Sequence, residues 1–126
     1  MTSVLLVDDN EDLRELYGVL LRGEGYVVHE AENGEQALAL LEDMRSEPCL
    51  LVLDLMMPVM SGADVLKVLK DSGRLEQQPV IVLSAGGRPS DVPEGQLVIR
   101  KPVDPRVLIS LVRGFCDSDT RLAVSS

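Results

Sequence analysis

The 126-residue chain carries 12 Lys and Arg against 21 Asp and Glu, a net charge of −9. That balance argues against direct nucleic-acid binding, which needs a basic footprint for backbone phosphates, and three aromatics (Tyr17, Tyr26 and Phe115) are too few for a base-stacking platform. With 45% hydrophobic and 26% charged residues the composition is that of one globular domain, and no apolar run comes near the ~20 residues of a membrane helix. Cys49 and Cys116 lack metal-ligand spacing, and with a first strand starting almost at Met1 no targeting segment is expected. Both are expected to be reduced thiols of a cytoplasmic protein that does not engage membranes.

The first apolar run, Val4-Leu5-Leu6-Val7, lacks period-2 alternation and reads as a strand buried on both faces. Asp8-Asp9-Asn10 then offers turn and cap residues. A helix is expected over about Glu11–Glu24, with Leu13, Leu16, Tyr17, Leu20 and Leu21 forming one apolar stripe. Tyr26–Ala31 is a more polar strand suited to a sheet edge. Its His29, the only histidine, is expected to be solvated there. Asn33-Gly34-Glu35 opens a second helix that turns Ala37, Leu38, Leu41 and Met44 inward, and Pro48 breaks the chain.

Leu50-Leu51-Val52-Leu53 is a second doubly buried strand, and it stops on Asp54. After a loop from Met56 to Gly62, Ser61 caps a third helix that buries Val65, Leu66 and Leu69. Asp71–Gln78 reads as a polar connecting loop, and Val80–Leu83 as a strand ending at Ser84. The 12 residues from Ala85 to Gln96 contain three glycines and two prolines. Each interior proline costs a helix roughly 3 kcal/mol and each glycine about 1, so at most one turn, around Ser90-Asp91-Val92, is expected. Leu97–Arg100 is the last strand, followed by Lys101-Pro102. A well-specified final helix has Asp104 as cap, Pro105 at its first position, and Leu108, Leu111, Val112 and Phe115 on one face. Asp117–Ser126 is expected to be a short, frayed polar tail.

Alternating strand and helix patterns predict an α/β domain, a parallel sheet with helices on both faces. In such a sheet the carboxyl ends of the strands share one edge, where ligands bind. Four apolar runs here end on polar groups: Asp8-Asp9, Asp54, Ser84 and Lys101. Two carboxylates 4 Å apart repel by about 4 kcal/mol at an effective dielectric of 20, which a divalent cation would offset. All-oxygen ligands with few carboxylates suit Mg²⁺. Together with a lysine and a hydroxyl, these groups suit the charge of a transferring phosphoryl group. Asp54, alone at its strand end, fits the nucleophile that forms an acyl phosphate.

These residues carry a resemblance. Val7-Asp8-Asp9-Asn10, Ala31-Glu32-Asn33-Gly34, Asp54-Leu55-Met56-Met57-Pro58 with Gly62, Ser84-Ala85 and Lys101-Pro102, in this order, resemble the receiver domains of two-component response regulators, of the single-domain chemotaxis type. The resemblance implies a receiver domain over residues 1–116 and a tail over 117–126. It implies a flavodoxin-like, doubly wound five-stranded parallel sheet of order 2-1-3-4-5, here with a shortened or missing fourth helix. It further implies that Asp54 is the phosphoacceptor of a phosphorelay and takes phosphate from a histidine kinase or histidine phosphotransfer protein. Asp9 would ligate Mg²⁺ directly and Asp8 through water, with Asp54 and the backbone carbonyl of Met56 as further ligands. Ser84 and Lys101 would hold the phosphoryl oxygens, and the signal would pass to a downstream protein. The domain would act on its own Asp54 and turn over no outside substrate.

Three positions depart from the family pattern. Val98 stands where a Tyr or Phe usually reports phosphorylation, and its β-branched side chain is stiff. The fourth helix is eroded. Met56 places an apolar side chain two residues after Asp54, where a polar one could orient the hydrolytic water. The first two favour a second reading, a receiver-fold scaffold or phosphate sink without switching. A haloacid-dehalogenase-like hydrolase wants an acid at Met56 and a cap domain. An FMN carrier wants a Ser/Thr/Gly-rich phosphate loop in place of Asp8-Asp9-Asn10.

Overall fold

A computed structural model describes residues 3–44, 49–86, 90, 92, 93 and 95–125, with the side chains of Cys49 and of residues 117–125 outside the description. Five strands, β1 (Ser3–Val7), β2 (Val27–Ala31), β3 (Cys49–Asp54), β4 (Val80–Ser84) and β5 (Leu97–Arg100), form one sheet of order β2-β1-β3-β4-β5. Every pairing is parallel, with Val7 opposite Ala31 and Leu53, and Asp54 opposite Leu83. Four helices cover it: α1 (Glu11–Gly23), α2 (Gly34–Asp43), α3 (Gly62–Asp71) and α4 (Pro105–Ser125). This is the doubly wound, flavodoxin-like architecture expected, with the order reversing between β1 and β3.

The sheet divides the core in two. On one face Tyr17 and Leu21 of α1 and Leu108 and Val112 of α4 pack with Val4, Leu6, Val52 and Ile81. On the other, Ala37 and Leu41 of α2 and Val65, Leu66 and Leu69 of α3 pack with Leu5, Val7, Leu53 and Val82. Facing apolar layers on both sides explain the uninterrupted apolar runs Val4–Val7 of β1 and Val80–Leu83 of β4, all buried.

Helix starts are set by side-chain caps. Asn10 accepts the N–H of Leu13, and Asn33 that of Gln36. Ser61 and Asp64 form a reciprocal capping box on α3. Asp104 Oδ1 accepts the Arg106 N–H at 2.8 Å, as a cap should.

Four details differ from expectation. Leu16 sits outside the buried stripe of α1, 46% exposed, and Gly18 lies buried in its stead. The stretch after α3 is not simply a loop: Leu75–Gln77 is a 3-10 turn that inserts Leu75 into the core. His29 is half-buried, and its Nε2 has no partner among the described residues. Helix α4 runs to Ser125 rather than fraying after Cys116, since neither proline nor glycine follows Gly114 to stop it.

Among the described residues no helix lies between β4 and β5. The single turn expected around Ser90-Asp91-Val92 lies partly outside them. Val92 nevertheless reaches the core on the α2–α3 side, 5% exposed.

Candidate functional site: an acidic pocket at the carboxyl edge of the sheet

The ends of β1, β3, β4 and β5 bring the predicted polar residues together. Carboxylate oxygens of Asp8, Asp9 and Asp54 all lie within 4.8 Å of one another. Asp8, Asp54 and Ser84 are buried and Asp9 is exposed. The Lys101 ammonium stands between two of the carboxylates, 3.4 Å from Asp8 Oδ2 and 3.3 Å from Asp54 Oδ2. Asp8 Oδ1 accepts the Asn10 N–H at 2.9 Å, and Asp54 Oδ1 the Met56 N–H at 3.3 Å. Ser84 Oγ accepts the Gly86 N–H at 3.3 Å. The Lys101 N–H donates to the Ser84 carbonyl at 2.7 Å, tying the ends of β4 and β5, and the Lys101-Pro102 peptide is cis.

The β3–α3 loop closes tightly beneath Asp54. The Gly62 N–H donates to the Leu55 carbonyl at 3.0 Å. A Cβ at position 62 would press on the Asp54 carbonyl and stand 2.8 Å from Leu55 Cα, so only glycine fits this backbone approach. Gly34 meets a similar limit, because a side chain there would collide with Met60 and Val65. Its N–H donates to the Met60 carbonyl at 3.0 Å, pinning the start of α2 to the loop. At the tip Val59 has φ 70° and Met60 N–H closes back on the Pro58 carbonyl at 2.8 Å. The side chains of Val59 and Met56 are 77% and 73% exposed.

Electrostatics single out Asp54. Burial pushes its carboxyl from 3.8 up to about 6, and the Asp8 carboxylate adds to the push. Lys101 and the Met56 N–H oppose it. Burial works to lower the Lys101 ammonium, but Asp54 and Asp8 outweigh it and raise the group. Tyr17, whose hydroxyl donates to the Val103 carbonyl at 3.2 Å, is raised mainly by burial.

Three carboxylates against one ammonium leave an excess of two negative charges in the pocket. The donors are all hard oxygens, a set that fits a cation such as Mg²⁺ better than a thiolate- or imidazole-seeking metal. Every sequence-predicted site residue therefore stands at one edge, including Met56, whose N–H faces Asp54.

Two residues were missed. Arg14 Nη1 donates to the Asp8 carbonyl at 2.8 Å, and its Nε to Glu30 Oε1 at 3.2 Å. The available signal was Glu30 itself, a charge on the strand face that α1 covers, where Val28 is buried.

Residues 4–113 match the family described as the response regulator receiver domain. The chain is 39% identical over 122 residues to an uncharacterized 14.6 kDa protein from the sodA1 3′ region of Leptolyngbya boryana, covering 90% of this chain and 89% of that one. It is 41% identical over 120 residues to the transcriptional regulatory protein CpxR of Escherichia coli strain K12, covering 91% of this chain but 49% of CpxR. The chain thus spans about half the length of that regulator. Among solved structures it is similar to a CheY-like response regulator receiver domain protein from Methanospirillum hungatei JF-1, with TM-score 0.76 and 29% identity over 90% of this chain and 93% of that one. The N-terminal domain of an uncharacterized protein (WS1339) from Wolinella succinogenes gives TM-score 0.83 and 26% identity, covering 96% and 98%. Fold and acidic pocket define a signalling module of the α/β class. The chain belongs to the response regulator receiver domain family, the receiver of a two-component system.

Proposed function

We propose that Asp54 is the phosphoacceptor of this receiver and that it takes its phosphoryl group, in the cytoplasm, from a histidine kinase or histidine phosphotransfer protein. The observation that carries this reading is the Lys101 ammonium held between the buried carboxylates of Asp8 and Asp54. An Asp54 oxygen attacks the phosphorus of a phosphohistidine. The P–N bond breaks, and its electron pair leaves with the imidazole, which takes up a proton. Mg²⁺, when bound, supplies positive charge to the phosphoryl oxygens. Asp8, Asp9, Asp54 and the Met56 carbonyl are the residues that would hold it. Lys101 exchanges its carboxylate partners for a phosphoryl oxygen, and the Ser84 hydroxyl donates to another. The exposed apolar side chain of Met56 leaves the hydrolytic water without an orienting group, which favours a long-lived acyl phosphate.

A second reading is a scaffold or phosphate sink that does not switch. It draws on Val98 and on the connection between β4 and β5, where no helix lies among the described residues. One experiment addresses both: backbone amide NMR during Mg²⁺ titration, then with a beryllofluoride phosphoryl mimic. Shifts at Asp9, Asp54, Ser84 and Lys101 that also reach Val98 and α4 are expected of a switching receiver. Shifts confined to the pocket would establish the sink, and none in either step would reject the phosphoacceptor and leave the scaffold.

A further inference from the structure

We propose that Arg14, held by Glu30, is a positioning residue for the acidic pocket: its guanidinium fixes the Asp8–Asp9 peptide and thereby aims Asp9 at the cation. The inference rests on the phosphoacceptor reading above. It begins with a backbone problem. At Asp8 the chain leaves β1, and the N–H of Asp8 still has a sheet partner, the Ala31 carbonyl at 3.1 Å. The Asp8 carbonyl lies beyond the last ladder pair, Val7 with Ala31, and an unpaired carbonyl there would be costly to bury. Arg14 Nη1 meets it at 2.8 Å.

The Asp8 unit is consequently held at every polar atom. Ala31 takes its N–H, Arg14 its carbonyl, Asn10 one carboxylate oxygen and Lys101 the other. Because the Asp8 carbonyl and the Asp9 nitrogen share one rigid peptide plane, fixing that carbonyl restricts the direction in which the Asp9 side chain leaves the backbone. Asp9 is exposed and makes no hydrogen bond of its own among the described residues, so this plane is its principal constraint.

Arg14 is itself anchored. Its Nε–Glu30 Oε1 pair, at 3.2 Å, is mostly shielded, with side-chain exposures of 14% and 24%. Glu30 also receives Arg22 at 3.1 Å, and Arg22 donates to the Val28 carbonyl at 2.9 Å. Gly18 lets α1 lie directly on this pair. A Cβ there would stand 3.2 Å from Arg22 Nη1 and 3.4 Å from Glu30 Oε2. A planar fork reaching a carbonyl and a carboxylate at once is a task for arginine that lysine performs incompletely.

The test compares wild type with Arg14→Met, Arg14→Lys and Glu30→Gln, reading Mg²⁺ affinity from amide shifts and phosphorylation rate with acetyl phosphate as the donor. Groups that orient metal ligands typically change affinity about 10- to 100-fold. Arg14→Met is expected to weaken Mg²⁺ binding roughly tenfold, with Arg14→Lys and Glu30→Gln intermediate. At saturating Mg²⁺ the phosphorylation rate of each variant should return to within about twofold of wild type, since the chemical groups are intact. Equal Mg²⁺ affinity in wild type and Arg14→Met would overturn the positioning role, as would a loss that saturating Mg²⁺ does not restore. Should Arg14→Met fail to fold, Arg14→Lys and Glu30→Gln decide by the same two readouts. Failure of the wild-type protein itself to bind Mg²⁺ would instead remove the phosphoacceptor reading on which the proposal stands.

Discussion

Val59 and Asp54 show how far single residues in this chain depart from their local preferences. Val59 has φ 70° with a side chain 77% exposed, a conformation that costs an L-residue about 1–2 kcal/mol and is least suited to a β-branched one. Val59→Asn is therefore expected to stabilise the fold by about 1 kcal/mol, seen as a higher urea midpoint at unchanged slope. An unchanged midpoint would contradict the strain. Asp54 departs electrostatically. Its carboxyl is raised from 3.8 to about 6, so the folded protein holds a proton that the unfolded chain has already released. That contribution favours the fold fully below pH ~4 and is lost as pH rises through about 6. In metal-free protein, Asp54→Asn should gain stability on the wild type across this window, by about 3 kcal/mol. A pH-independent difference between the two urea curves would contradict it. All three site carboxylates were legible in the sequence because Asp8-Asp9 and Asp54 each end an uninterrupted apolar run. Arg14 was not, because an arginine on an amphipathic helix looks solvated until the strand beneath it is known to present Glu30.

At the scale of elements, strands and caps follow directly from local chemistry. Apolar runs without alternation became doubly buried strands, and Asn10, Asn33 and Ser61 start the helices as their side chains predict. Leu75 was harder to read: polar neighbours disguise one leucine that the core takes up. The connection between β4 and β5 is the unusual element. Its proline and glycine content opposes a helix, yet Val92 is 5% exposed and packs with the α2–α3 core. Val92→Ala removes two buried methyl-sized groups and should cost about 2 kcal/mol. Hydrogen exchange should rise in β5 more than in β1. A variant as stable as wild type would mean that Val92 does not anchor the crossover.

On the scale of the whole molecule, a parallel sheet of order β2-β1-β3-β4-β5 places the ends of β1 and β3 side by side where the strand order reverses. That topology, rather than any one motif, turns residues 46 positions apart, Asp8 and Asp54, into neighbours sharing one lysine. The alternation of strands and helices made the parallel class legible from the chain alone. The order of the strands came from resemblance, because periodicity does not say which edges meet. The most direct measurement is phosphate incorporation by intact mass, after exposure to a phosphorylated histidine kinase with and without Mg²⁺. About one base-labile phosphoryl group per chain is expected for the wild type with Mg²⁺, and none for Asp54→Asn. Equal incorporation by Asp54→Asn would contradict that expectation.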